Sequence, residues 1–250
     1  MVFLMKVIIL CGGYATRLYP LTKFIAKPLL PVNGRPILNN IIEKIQELKE
    51  VDEVYITTNR KFHNQFEEWF NGHKDLFNKK IKLFKEPLLF RDKRIGGVDA
   101  IYRIIKKYNI KDDILVIAGD NLFNFSLKPA LLFFKKKNST IIILSKIGNK
   151  KKASNFGVVE LDKDNKILGF QEKPKNPKSS FISTAIYFFP RSDLDQIKKY
   201  TKSEKKGNSF GYFMRFLYAI EGLYGFIPKG KFMDIGTLED YKKANEIWRG

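Results

Sequence analysis

The feature that most constrains this chain is a repeated alternation. Short, continuously apolar runs end in glycine or polar residues, and stretches with helical spacing lie between them. Lys6-Val7-Ile8-Ile9-Leu10-Cys11 runs into Gly12-Gly13, and residues 54–58, 81–84, 114–118 and 141–144 repeat the pattern. Runs without a polar face read as strands buried on both sides. Between the first two, Ile37, Leu38, Ile41, Ile42, Ile45 and Leu48 recur at helical spacing over 36–50, with Pro36 suited to the first turn. Further helices are predicted over about 63–70 and 98–108, and one that Ser126 can cap runs to about Lys137. Strands alternating with helices imply an α/β chain with a parallel sheet covered on both faces. Such sheets bind ligands at the carboxyl ends of their strands, where Gly12-Gly13 and Gly119-Asp120-Asn121 both fall.

The second half changes character. Residues 157–161 and 166–170 flank the polar turn Asp162-Lys163-Asp164-Asn165 and read as a hairpin. A strand is expected over 181–189, helices near 193–200 and 212–220, and a short extended piece over 225–228. Thr237-Leu238-Glu239-Asp240 has the form of a capping box with Asp standing for Glu, which opens a C-terminal helix. The stretches 147–155 and 201–208 are polar, and the aromatic run from Phe210 to Tyr224 reads as core.

Composition narrows the function classes. With 250 residues, 44% of them hydrophobic, and 22 Phe and 11 Tyr, the chain can build one large aromatic-rich core with a modest lobe. One cysteine and two histidines exclude an internal disulfide and make a Cys/His metal cluster a poor expectation. Low cysteine use fits a reducing, cytoplasmic compartment. No apolar run reaches a membrane span or a signal-peptide core, so no membrane partner is expected. The net charge of +20 attracts anions, yet the lysines are spread along the whole chain. That distribution, without a nucleic-acid-binding motif, argues for a solvated basic surface over a nucleic-acid partner.

Three motifs carry chemistry. In Gly12-Gly13-Tyr14-Ala15-Thr16-Arg17, glycines straight after a buried strand let backbone N–H groups approach an anion. Arg17 can fork onto phosphate oxygens, and Lys27 adds a second cation. Gly12-Gly13 alone is equally the pattern of a tight turn, and neither a Walker loop nor G-x-G-x-x-G is present. Asp120, at a strand end, and Asp234, between apolar neighbours, are candidate Mg²⁺ ligands, although either alone also reads as a turn or cap residue. Glu172-Lys173 offers an acceptor for hydroxyls and a cation for a phosphate monoester, or simply a charged strand end.

The motifs occur in the order Gly-Gly-x-x-Thr-Arg-Leu-x-Pro-Leu-Thr, Lys-Pro-Leu-Leu-Pro-Val, Ala-Gly-Asp-Asn, Phe-Gly-Val-Val-Glu, Glu-Lys-Pro and Asp-Ile-Gly-Thr-Leu-Glu-Asp-Tyr. Together, from about Met5 to Trp248, they resemble the sugar-1-phosphate nucleotidyltransferase family, closest to its glucose-1-phosphate thymidylyltransferase branch. The resemblance implies a Rossmann-like mixed, mainly parallel sheet flanked by helices. One domain over 1–250 would hold a nucleotide-binding core over about 5–146 and a sugar-binding lobe with C-terminal helices over about 147–250. It implies transfer of a nucleoside monophosphate from a nucleoside triphosphate, dTTP or UTP favoured, to a sugar 1-phosphate such as glucose 1-phosphate. Leu10, Gly12, Gly13, Thr16, Arg17, Lys27 and Gly96 would bind nucleotide. Arg17, Lys27 and Asp120 would be catalytic, Asp120 and Asp234 would hold Mg²⁺, and Gly157, Glu172, Lys173 and Ser183 would bind the sugar phosphate. The family assembles as dimers and tetramers, which makes a homo-oligomer an expectation.

Departures bear on specificity. Ala15 and Ala185 stand where the family has Gly, Cys11 where Ala is usual, and Glu86 before Pro87 where the thymidylyltransferase branch has Gln. The run from Arg94 to Asp99 also differs from that branch. The length leads one to expect the catalytic domain without the hexapeptide-repeat acyltransferase domain that some relatives append. A catalytically silent relative that binds nucleotide sugars would be expected to lose Arg17, Lys27 or an aspartate, and all are present.

Overall fold

A computed structural model describes residues 4–87, 96–203 and 209–248. The start of the divergent run, Arg94 and Ile95, and most of the polar stretch 201–208 lie outside the described residues. In chain order the first elements are β1 (Met5–Cys11), β2 (Pro31–Val32), β3 (Arg35–Pro36), α1 (Ile37–Gln46), β4 (Val51–Thr58), α2 (His63–His73) and β5 (Lys80–Lys85). Then come α3 (Gly97–Tyr108), β6 (Asp113–Ala118), β7 (Asn121–Phe123), α4 (Lys128–Lys137), β8 (Ile141–Lys146), β9 (Gly157–Leu161), β10 (Ile167–Glu172) and β11 (Phe181–Phe189). The chain closes with α5 (Leu194–Lys202), α6 (Phe210–Ile220), β12 (Tyr224–Phe226), β13 (Phe232–Asp234) and α7 (Leu238–Ile247).

Two compact units result, and they do not follow sequence order. The described residues of Met1–Ile95, Ile117–Leu127 and Gly230–Gly250 form the first, and those of Gly96–Val116 and Lys128–Lys229 form the second. A cut near residue 146 separates neither unit, because 230–250 returns to the first and 96–116 belongs to the second.

In the first unit β1, β4 and β5 are parallel, with Val7 opposite Val54 and Ile56 opposite Leu83. Val7, Ile8 and Ile9 are fully buried, as a run without a polar face requires. α1 buries Ile37, Leu38, Ile41, Ile42 and Ile45 on one stripe. Each such side chain contributes roughly 1.5–3 kcal/mol relative to exposure. Pro36 stands just ahead of α1 instead of inside its first turn, because it is extended and pairs with Pro31 across β2–β3. Ser126, the expected cap of α4, donates to Glu47 Oε2 at 2.8 Å, and α4 starts at Lys128. A small sheet absent from the sequence reading pairs β7 with β13 and sets Asn121 opposite Asp234. The capping box forms as expected: Asp240 N–H donates to Thr237 Oγ1 at 3.1 Å, and Thr237 N–H donates to Asp240 Oδ2 at 3.0 Å.

In the second unit β9 and β10 form the expected antiparallel hairpin, which pairs Gly157 with Glu172. β8 pairs with β11 and β12. β11 runs back beside β8, which is antiparallel to β11 and parallel to β12. The β11 register shifts between Ser183 and Tyr187, where Ala185 adopts φ 56°. The aromatic run is core: Phe213, Met214, Leu217 and Leu223 are buried, and Phe210 stacks on Tyr187 with centroids 4.7 Å apart. α3 buries Val98, Ala100, Ile101 and Ile104 and ends at Asn109, whose left-handed backbone suits a helix stop.

Candidate active site

At the carboxyl end of β1 the chain turns through Gly12-Gly13-Tyr14-Ala15 into the short turn Thr16–Leu18. Two side chains fix this turn. The Asn59 amide donates to the carbonyls of Gly12 at 3.2 Å and Gly13 at 3.4 Å. Thr22 donates its hydroxyl to the Ala15 carbonyl at 2.7 Å. A glycine is required at 119, where the chain leaves β6: its N–H donates to the Leu10 carbonyl at 3.0 Å. A Cβ there would lie 2.3 Å from Cys11 Sγ and 3.1 Å from that carbonyl oxygen.

This end of the first unit encloses a cleft of about 470 Å³. The sequence-predicted Leu10, Gly13, Thr16, Arg17, Lys27, Asp120 and Asp234 all line it. Lys27 is buried, and its ammonium donates to Asp120 Oδ2 at 2.8 Å. A buried cation needs such a partner, and Asp120, with its side chain 40% exposed, keeps its other oxygen for a ligand. Asp234 enters through the β7–β13 pairing. Burial raises its carboxyl above the ordinary range; Lys27 and Arg17 lower it, and Asp120 and Asp240 raise it. Two carboxylates and two cations therefore share one cleft, the arrangement a polyphosphate with its counter-cation requires.

Gly12 is turned toward Glu86, whose Oε1 would lie 2.1 Å from an added Cβ. Burial raises the Glu86 carboxyl, offset in part by a hydrogen bond from Thr57. The Cys11 thiol is also pushed up, chiefly by burial and then by Asp120 and Glu86, so it stays neutral.

Gly96, Gly157, Glu172, Lys173 and Ser183 all belong to the second unit. Gly96 precedes α3 as its N-terminal cap residue. Gly157 and Glu172 meet across the hairpin, where Glu172 Oε2 would lie 3.5 Å from a Cβ at 157. Lys173 adopts φ 44°, and its N–H donates to the Phe156 carbonyl at 3.0 Å. Ser183 is buried on β11 and donates to Tyr187 Oη at 3.0 Å. Burial raises the Tyr187 phenol, the Ser183 bond lowers it, and the charge of Glu172 raises it again. Ser209, which donates to Glu172 Oε1 at 2.8 Å, is a contact that sequence reasoning missed. It stands 37 residues from its partner, and no local pattern signals the bond.

For Mg²⁺, two carboxylates suffice in kind, because the ion keeps waters and takes phosphate oxygens. Among the described residues no group of three or more His, Cys, Asp or Glu forms a protein-only cage. The donor set of Asp120 and Asp234 thus fits an ion carried in with a phosphate substrate.

The fold is a mixed α/β sheet with a glycine turn and a cationic, carboxylate-bearing cleft at its strand ends. The chain belongs to the nucleotidyl transferase family, whose model matches residues 6–249. It is 34% identical over 242 residues to the bifunctional protein GlmU of Methanocaldococcus jannaschii, covering 97% of this chain and 54% of that protein. It is 27% identical over 244 residues to a mannose-1-phosphate guanyltransferase of Sulfolobus acidocaldarius, covering 97% of this chain and 62% of that one. The chain spans about half the length of the GlmU relatives it matches. Among solved structures it resembles a glucose-1-phosphate thymidylyltransferase of Bacillus anthracis in complex with a sucrose. That likeness has a TM-score of 0.84 and 26% identity, over 98% of this chain and 97% of that one. A UDP-glucose pyrophosphorylase complexed with UDP-glucose shares the fold at a TM-score of 0.80 and 19% identity, over 98% of each chain.

Proposed function

We propose that this chain transfers a nucleoside monophosphate from a nucleoside triphosphate to a sugar 1-phosphate and releases pyrophosphate. The observation that carries this reading is the cleft where Arg17, Lys27, Asp120 and Asp234 converge beside the glycine turn. In the reaction an oxygen of the sugar phosphate bonds to the α-phosphorus. The bond from that phosphorus to the bridging oxygen breaks, and pyrophosphate leaves with the electron pair. The attacking phosphate is already ionised at neutral pH, so no general base is required. The barrier is the approach of two like-charged groups, and fixed cations lower it. Arg17 would hold the departing phosphates and Lys27 the α-phosphate. Asp120 and Asp234 would hold Mg²⁺, which supplies charge neutralisation for the leaving pyrophosphate. Gly157, Glu172, Lys173 and Ser183 would bind the sugar phosphate, and Leu10, Gly12, Gly13, Thr16 and Gly96 the nucleotide.

The favoured nucleotides are dTTP and UTP, on the resemblance to the thymidylyltransferase branch, with glucose 1-phosphate as the first sugar. The named relatives differ in base, guanyl in one and thymidylyl in another, so the panel must be wider. Activity in the cytoplasm as a homo-oligomer completes the reading. Among the described residues no helix is long and apolar enough to cross a membrane.

The test is pyrophosphate release with Mg²⁺ from dTTP, UTP, CTP, GTP and ATP, each paired with a set of sugar 1-phosphates. Release should need both substrates and stop on addition of EDTA. Arg17→Ala should lower turnover by about 10²-fold, the scale of one preorganised donor. Release without a sugar phosphate, or near-normal turnover by Arg17→Ala, would refute the assignment.

A further inference from the structure

The carboxylate of Glu172, the last residue of β10, is gripped by the start of α6. Ser209, the N-terminal cap residue of that helix, donates its hydroxyl to Oε1 at 2.8 Å. The other oxygen lies against Gly211 in the first turn. A Cβ at 211 would stand 1.7 Å from Oε2 and 2.2 Å from the carboxyl carbon, so this position admits only glycine while Glu172 keeps its place. Across the hairpin, a Cβ at Gly157 would approach the same oxygen to 3.5 Å. The carboxylate therefore sits where two residues present no side chain, at the end of an eleven-residue helix whose free N–H groups favour negative charge.

The arrangement does more than satisfy an acid. A carboxylate offers about four acceptor sites, and the Ser209 bond takes one. Glu172 is only half-buried, so its remaining acceptors are open to a ligand. A glutamate free to rotate would lose rotamer freedom on binding a ligand, and one fixed beforehand would not. We propose that Ser209 and Gly211 are positioning residues that lock the Glu172 carboxylate in the orientation that accepts sugar hydroxyls. This rests on the reading of Glu172 as a sugar-phosphate residue. Because the element acts through Glu172, its loss should weaken the sugar phosphate and leave the nucleotide untouched.

The experiment measures KM for glucose 1-phosphate and for the best nucleotide, together with calorimetric binding of glucose 1-phosphate, in Ser209→Ala, Ser209→Thr and Glu172→Ala. Ser209→Ala should raise the sugar-phosphate KM about tenfold, the worth of one hydrogen bond to a charged group. The nucleotide KM should hold, and Ser209→Thr should restore most of the affinity. In a Glu172→Ala background, Ser209→Ala should add nothing. Gly211→Ala should weaken sugar binding further, and the serine variants carry the test if that protein fails to fold. If Glu172→Ala weakens sugar binding while Ser209→Ala does not, the positioning role is overturned and the reading of Glu172 stands. If Glu172→Ala leaves sugar affinity unchanged, that reading fails and this inference with it. A Ser209→Ala protein with both KM values raised alike would mark the serine as structural and overturn the proposal.

Discussion

Ala15 and Ala185 hold left-handed backbone angles, φ 47° and 56°, that favour glycine. For an alanine this conformation costs roughly 1–2 kcal/mol, because Cβ crowds the following carbonyl. Glycine would remove the strain and lose about 0.5–1 kcal/mol to the greater freedom of its unfolded chain. Ala185→Gly should therefore raise stability by up to about 1 kcal/mol, read as a higher urea midpoint at unchanged slope. A lower midpoint would mean that the Ala185 methyl packs to greater effect than its backbone strains. Ala15 bears on function more directly. Its carbonyl accepts from Thr22 within the turn that carries Thr16 and Arg17, so the strain sits where side chains are aimed into the cleft. Neither alanine could be assigned a conformation from sequence. Their positions departed from the family pattern, but only the folded backbone shows that the left-handed turn persists without glycine.

At the scale of elements, the C-terminal segment shows how local chemistry supports a site. β13 delivers Asp234 opposite Asn121, and three residues later Thr237 starts α7 with a reciprocal capping box. α7 in turn ties to the β2–β3 region through Tyr241, whose hydroxyl donates to the Pro31 carbonyl at 2.6 Å. Thr237→Ala should cost about 1 kcal/mol of stability, the usual value of a lost N-cap hydroxyl, and Thr237→Ser should recover most of it. Thermal melts of the two variants check this. Equal midpoints for the Ala and Ser proteins would show that the Asp240 carboxylate alone supports the helix start. The box was readable in sequence because its partners lie three residues apart. The β7–β13 pairing was not, because strands of three residues carry no periodicity.

For the whole molecule, the charge of +20 raises the question of nonspecific binding. Lysines spread over the surface should attract any polyanion by counterion release alone. Binding to random duplex DNA should then fall by orders of magnitude between about 50 and about 200 mM salt and show no sequence preference. A fluorescence-anisotropy titration at both salts measures it. Salt-resistant, sequence-dependent binding would instead point to a dedicated nucleic-acid surface.

The sequence by itself determined the α/β class, the strands that end in glycine, the helices with apolar stripes, and a first-motif cluster that the fold gathers into one cleft. These are local properties: burial periodicity, cap chemistry and turn residues act over a few positions. The tertiary structure decided the rest. It sent residues 230–250 back to the first unit and set β11 antiparallel beside β8. It also paired Lys27 with Asp120 across 93 positions and closed Ser209 on Glu172 across 37. Such contacts join residues that no local pattern links, because they form only when whole elements pack. The free energy that holds them comes from burial and charge pairing across the fold.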